Sequence, residues 1–204
     1  MSDYTSFPLT VVDGLALGER YRRALRPAEM MRDRQGRSRR LPRFFYEIDS
    51  RRTAQETKLT PHFSLWEFIS VDVRESEALR GFPKFIPCAV ALLAAELQLL
   101  RQEVGTFIHI AANGGYRSPA HALSHYASPH NWATAVNIYR IGDDYLDEQE
   151  KIERYGRQAA RLLPGAWVRP YGHNVGYADD HVHLDLGYVT VVPRDAAGED
   201  EQKG

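Results

Sequence analysis

Alternation of apolar and polar positions is clearest near the C-terminal end of the chain, over residues 179–188. Successive strand residues point to opposite faces. Val182, Leu184 and Leu186 therefore form one side of a strand, and His181, His183 and Asp185 the other. The first side is a core face. The second sets two imidazoles beside a carboxylate, with Asp180 just before them. It is either the solvated face of an edge strand or a surface that binds metal or moves protons.

The rest of the chain alternates helical and strand periods. Ile86, Val90, Leu93, Leu97 and Leu100 recur at helical spacing and predict a long core helix over 86–102, stopped by Gly105. The β-branched alternation of 106–112 predicts a strand, with His109 a satisfied polar residue on the side away from Ile108 and Ile110. A second strand follows the loop that starts at Ser128: Val136 and Ile138 face the core, and Ala135, Asn137 and Tyr139 face the other way. Residues 143–163 form an amphipathic helix with Asp147 and Glu150 as its capping pair and Pro164-Gly165 as its stop, and a strand follows over 166–171. Nearer the N-terminus, residues 41–48 read as a strand or an anchor. Ser64 and Glu67 make a capping box that opens a short helix with Trp66, Phe68 and Ile69 on its buried side; His62 before it is structural.

Between the two central strands lies the run Asn113-Gly114-Gly115-Tyr116-Arg117-Ser118-Pro119. Its glycines permit a tight turn. Ser118 and Pro119 have the form of an N-cap and a first-turn proline, so a helix is expected from Ala120. That helix would place His121 and His125 at i, i+4, a spacing that chelates metal or simply decorates a surface. Arg117 would stand at a strand end, where a guanidinium can grip a carboxylate.

Composition narrows the chemistry. With 204 residues, 43% of them hydrophobic, the chain is long enough for one domain with extensions. The single cysteine, Cys88, excludes a disulfide framework and a multi-cysteine zinc site, so any metal must be held by His, Asp, Glu or Asn. A net charge of -1 gives no global field for nucleic acid. No apolar run is long enough to span a membrane, and Met1 to Pro8 lacks the pattern of a signal peptide. A cytoplasmic location is expected, with release by lysis or a dedicated secretion device. The arginines crowd into residues 1–58, read as an extension that wraps the domain or docks a partner protein. Residues 59–192 form the main domain, and 193–204 a polar, disordered tail.

Taken in order, four segments resemble the zinc D-Ala-D-Ala carboxypeptidases, a family that includes phage and bacterial murein peptidases. His62-Phe-Ser-Leu-Trp-Glu-Phe is similar to the family's entry helix. Gly115-Tyr-Arg-Ser-Pro119 is similar to its S-G-Y-R-S-P turn, with Gly114 in the serine's place. Ser128-Pro-His130 and Ala135-Val-Asn137-Ile resemble S-x-H-x-x-G-x-A-x-D-I. Asp180-His-Val-His183-Leu-Asp185 resembles D-x-x-H-x-D. The match spans residues 59–190 and leaves the first 58 unexplained.

The resemblance implies an α+β fold of the Hedgehog/DD-peptidase type, a small antiparallel sheet packed against helices. It implies a zinc ion held by His130, Asn137 and His183, with Asp180 as general base. Arg117 would hold a substrate carboxylate or the oxyanion, and His181 would assist there. The implied reaction is hydrolysis of peptidoglycan stem peptides by a metal-activated water. Two positions depart from the pattern: asparagine stands at 137 for the family's aspartate, and Ala133 for its glycine. An amide oxygen is a weaker zinc ligand than a carboxylate. Three alternatives follow. Asn137 serves as a weak third ligand; a histidine (His181, His121 or His125) replaces the aspartate; or the metal is lost and the cleft binds cell-wall peptide or a protein partner.

Overall fold

Every strand pairing recorded among the described residues is antiparallel. The computed structural model describes residues 8–173 and 177–194. Strand β1 (Thr10–Asp13) is followed by helix α1 (Glu19–Leu25), the hairpin β2 (Met30–Arg32) and β3 (Ser38–Arg40), strand β4 (Phe44–Glu47) and helix α2 (Arg51–Glu56). A short pair, β5 (Lys58–Thr60) and β6 (Phe63–Ser64), leads to β7 (Phe85–Pro87) and helix α3 (Val90–Val104). Then come β8 (Ile108–Ile110), β9 (Ala135–Ile141), β10 (Asp144–Tyr145), helix α4 (Gln149–Leu162), β11 (Trp167–Val168) and β12 (Val182–Asp185). The result is a mixed α/β chain of small antiparallel sheets and four α-helices among the described residues.

The central sheet runs β10-β9-β12-β11, with β8 also on β9. One of its faces is core: Ile108, Val136, Ile138, Ile141, Val182 and Leu184 are all buried. Leu93 and Leu97 of α3 and Ile152 and Ala159 of α4 join the same hydrophobic cluster. The expected alternation at 182–184 is therefore realised, though the strand stops at Asp185 and His181 lies just before it.

Residues 8–58 are not a solvated wrapping. Leu25, Phe45, Ile48 and Ala54 sit in the same core as the rest, and β4 pairs with β1 on one side and β7 on the other. Many of the arginines are satisfied within the chain. Arg37 and Arg39 bind the buried Asp33, Arg43 binds Asp13, and Arg52 binds Glu56. Arg34, Arg39 and Arg51 lie over the rings of Tyr177, Tyr188 and Trp66.

Three expected elements differ. The core helix begins at Val90 rather than Ile86, because Pro87 has no N–H and holds Ile86 extended; Ile86 pairs with Tyr46 in the β4–β7 ladder. The amphipathic helix starts at Gln149, with Glu148 at the N-cap position, where its side chain makes no capping bond and instead accepts from Lys151 Nζ, so the Asp147–Glu150 pair is not formed. No helix follows Pro119. The Ser118 carbonyl is bound by Ser124 Oγ (2.8 Å) and Asn131 Nδ2 (3.3 Å), and Ser118 Oγ donates to Glu75 (2.6 Å). These side chains compete for the carbonyl with the one local backbone bond it accepts, from His121 N (3.0 Å), and residues 119–128 run as turns and bends. By contrast, the Ser64–Glu67 capping box forms and opens a 3-10 turn over Leu65–Phe68. The polar tail lies mostly outside the described residues.

Candidate metal and peptide site

The register of the central sheet assembles the site. β9 and β12 pair so that His183 stands directly opposite Asn137. Both side chains project from the face opposite the core, and His183 Nδ1 lies 2.8 Å from Asn137 Oδ1. His130 arrives from a 3-10 turn, Pro129–Trp132, opened by a capping box between Ser128 and Asn131. Its ring centroid is 5.3 Å from that of His183.

A tight backbone junction holds these parts in place. Asn137 N donates to Gly114 O (2.7 Å), and Tyr116 N donates to Phe68 O (2.7 Å). A Cβ added at Gly115 would meet Phe68 O at 2.2 Å, so only glycine allows the turn to pass there.

Hydrogen bonding fixes both ring tautomers. His130 Nδ1 is 2.8 Å from the carbonyl of Gly115, an acceptor only, so Nδ1 carries the proton and Nε2 a lone pair. His183 Nε2 is 3.0 Å from Asp185 Oδ2, so Nε2 carries its proton. Asp185 is itself oriented by the Gly187 N–H, 2.8 Å from Oδ1. Burial holds both imidazoles below their usual pKa, that of His130 far below, with Arg117 repelling the charged form of each. Neutral rings then present His130 Nε2 and His183 Nδ1 as free lone pairs. Asn137 Oδ1 faces the second of them with lone pairs of its own.

Of the remaining expected residues, Arg117 and His181 lie close enough to act on the charge of His130, and Asp180 is tied to His181. Asp180 is 68% exposed, and its Oδ1 accepts from His181 Nδ1 at 2.6 Å. His181 is held below its usual pKa, first by burial and against the pull of Asp180. Arg117 is largely buried. Its Nε has no hydrogen-bond partner among the described residues, and burial, helped by Arg74 and opposed by Glu75, lowers its pKa to about 10. An unpartnered buried guanidinium is ready to receive an anion.

His121, His125, His62 and His109 stand apart from the centre. His121 is buried, with Nε2 on Asn113 Oδ1 (3.0 Å) and Nδ1 accepting from Leu123 N (3.0 Å). His125 is exposed. The expected i, i+4 pair is therefore not formed. His62 is structural, with Nδ1 2.7 Å from Gln98 Nε2, and His109 is satisfied by Arg140 Nη2 at 2.9 Å. Cys88 is buried, its thiol pushed up to about 12 by burial, which leaves it inert.

Several participants were not singled out in the sequence. Glu75 is buried and accepts from Ser118 N, Ser118 Oγ and Ser76 N. Arg169, also buried, directs Nη2 to Ala178 O and lies 3.4 Å from His181 Nε2. Trp167 stands beside His183, ring centroids 5.7 Å apart. The register partner of Trp167 is Asp185, a placement available only once β11 and β12 are paired.

Among the described residues, no three His, Cys, Asp or Glu side chains gather to hold a metal. The donor set is two imidazole nitrogens and one amide oxygen. It fits zinc in donor type and in the anchoring of both rings, since metal-binding histidines donate their other N–H to a carboxylate or carbonyl. It lacks a charged ligand. No protein-family model matches the chain, and neither a curated protein nor a solved structure does.

Proposed function

We propose that the chain is a zinc-dependent peptidase with a Hedgehog/DD-peptidase-like fold, acting on peptidoglycan stem peptides. The observation that carries this reading is the convergence of lone pairs. With Nδ1 of His130 and Nε2 of His183 protonated by fixed acceptors, His183 Nδ1 and Asn137 Oδ1 meet at 2.8 Å as two acceptors. A cation resolves that contact. His130, Asn137 and His183 would hold the metal, with Gly115 and Asp185 orienting the two rings. Zinc held there would supply Lewis acidity and bring the pKa of water toward neutrality.

The chain's own groups support amide hydrolysis. Asp180 keeps Oδ2 free while Oδ1 is tied to His181, so it can take a proton from water and deliver it to the leaving amine. Arg117 offers its unpartnered guanidinium to a substrate carboxylate or to the developing oxyanion. Ala133 adopts a left-handed conformation, φ 56°, at the position where the resembled family has glycine. A left-handed conformation is one that glycine adopts without strain, so this backbone is compatible with a glycine at that place.

A second reading has its own observation, the missing carboxylate at 137. If the Asn137 amide is rotated so that Nδ2 donates to His183 Nδ1, the contact becomes an ordinary hydrogen bond and needs no metal. The cleft then serves to bind cell-wall peptide or a protein partner. Zinc content of the untagged protein, together with muropeptide hydrolysis, separates the two. One equivalent of zinc and release of D-alanine or a cleaved stem supports the peptidase. A protein that takes up no added zinc would sink it and leave the binding cleft.

A further inference from the structure

The face of the central sheet that carries Asn137 does not end at the histidines. A bulge between β8 and β9 shifts the register near His109, so that Tyr139 and Arg140 both stand opposite it. Ile108, Ile138 and Ile141 point into the core. His109, Tyr139 and Arg140 are left half-buried on the other side. With Phe107 and Tyr145 they make a row of rings whose successive centroids are 6.3, 6.0 and 6.3 Å apart, in the order Phe107, His109, Tyr139, Tyr145. The two ends are open to solvent, Phe107 being 69% and Tyr145 52% exposed.

Two guanidinium groups flank the row. That of Arg101 lies 5.1 Å from the Phe107 centroid and that of Arg140 lies 5.3 Å from the Tyr145 centroid. Arg140 also reaches His109 Nε2 at 2.9 Å and Tyr145 Oη at 3.3 Å, while its Nε is buried with no partner. No ion pair recorded among the described residues includes either arginine. The strip is thus aromatic, cationic and without a neutralising carboxylate bonded to its arginines, and Tyr139 is two residues from Asn137 on the same strand.

We propose that this strip binds a glycan strand that bears free carboxylates at intervals, beside the site read above as a peptidase centre. Sugar rings present apolar C–H faces that lie against exposed aromatic rings. The arginines answer carboxylates spaced along the chain. A single-stranded nucleic acid fits less well. It carries a charge at every residue and is bound in grooves that track the whole backbone, whereas two guanidiniums serve four rings here and the chain's net charge is -1. The identity of the polymer rests on the peptidase reading; the strip's ring and charge chemistry does not.

The test is titration of the full chain, in EDTA, with three probes: peptide-free peptidoglycan strands with free lactyl carboxylates, neutral chito-oligosaccharide, and oligo-dT. The acidic strands are expected to bind best. Phe107→Ala and Tyr145→Ala, both at exposed positions, should each weaken binding about tenfold. Arg101→Gln should weaken it and flatten its salt dependence. Unchanged binding in the double variant Phe107→Ala/Tyr145→Ala overturns the proposal. So does equal binding of the neutral oligosaccharide, or tighter binding of oligo-dT. Zinc uptake measured on the same protein after removal of EDTA separates the two readings: glycan binding without zinc uptake supports the strip while removing the peptidase.

Discussion

Two pairs of histidines in this chain teach opposite lessons. His121 and His125 have a spacing that suggests chelation, four residues apart in one segment. They do not act together, because the segment is not helical and His121 uses both ring nitrogens on Asn113 and Leu123. His130 and His183 are 53 residues apart in sequence and meet through tertiary structure, ring centroids 5.3 Å apart. Each gives one nitrogen to a fixed acceptor; the other nitrogen of His183 faces Asn137 Oδ1 at 2.8 Å. Under the proposed metal site, what separates the two pairs is what the second nitrogen meets, not the spacing of the residues.

The sharpest way to break this comparison is to remove one ring from each pair. His183→Ala is expected to abolish zinc uptake, measured as metal per protein after dialysis against dilute zinc. His125→Ala should leave it unchanged. Loss of zinc in the second variant but not in the first would reverse the assignment. Next in size is the acceptor behind the ring. Asp185→Asn removes the charge that fixes the His183 tautomer, and zinc affinity should fall about 10- to 100-fold with His130 and Asn137 intact. Asn137→Asp supplies the missing charged ligand, and a competition titration should show zinc bound at least about tenfold tighter. No change would mean that position 137 does not face the metal.

Much of this site was legible in the sequence, and the reasons are local. The alternation at 182–185 follows from strand geometry, and its partner strand follows from Val136 and Ile138. Together they put Asn137 and His183 on outward faces. What could not be read was whether they stand opposite one another. That depends on the β9–β12 register, set by packing of both strands against α3 and α4. The failed helix after Pro119 has a similar cause. Ser118 and Pro119 have the form of a helix start, but Glu75, 43 residues away, takes the Ser118 hydroxyl and amide. Long-range acceptors such as Glu75, and cationic neighbours such as Arg169, leave no periodic trace. The arginine-rich stretch misleads in the opposite sense: its charge suggests an extension, yet Ala24, Leu25 and Ala54 join the core, and the strand expected within 41–48 forms as β4.

Acid should act on one buried histidine of each pair. Burial holds His121 and His130 below their usual pKa of 6.5. Between their folded values and 6.5 the unfolded chain binds more protons than the folded one, so stability rises with pH through that window and levels off above it. The metal-free protein should therefore lose melting temperature as pH falls below about 6.5. His121→Gln should flatten that profile. Equal profiles for the wild type and this variant would show that burial of His121 does not penalise its charged form.

The smallest expected effect lies at the turn that delivers His130. Ala133 closes that turn at φ 56°, ψ 33°, with its N–H on the carbonyls of His130 and Pro129. An L-residue there crowds Cβ against the following carbonyl at a cost of about 1–2 kcal/mol, which glycine does not incur. Glycine instead loses more backbone freedom on folding, about 0.5–1 kcal/mol. Ala133→Gly should thus stabilise the fold by about 0.5–1 kcal/mol in urea denaturation, by the difference of these terms. Ala133 is also fully buried, so removal of its methyl group subtracts some packing. The opposite change, Ala133→Val, adds a branched side chain to the same left-handed position and should destabilise. If both substitutions lower stability equally, packing rather than backbone conformation governs position 133, and its likeness to the resembled family's glycine carries no weight for the fold.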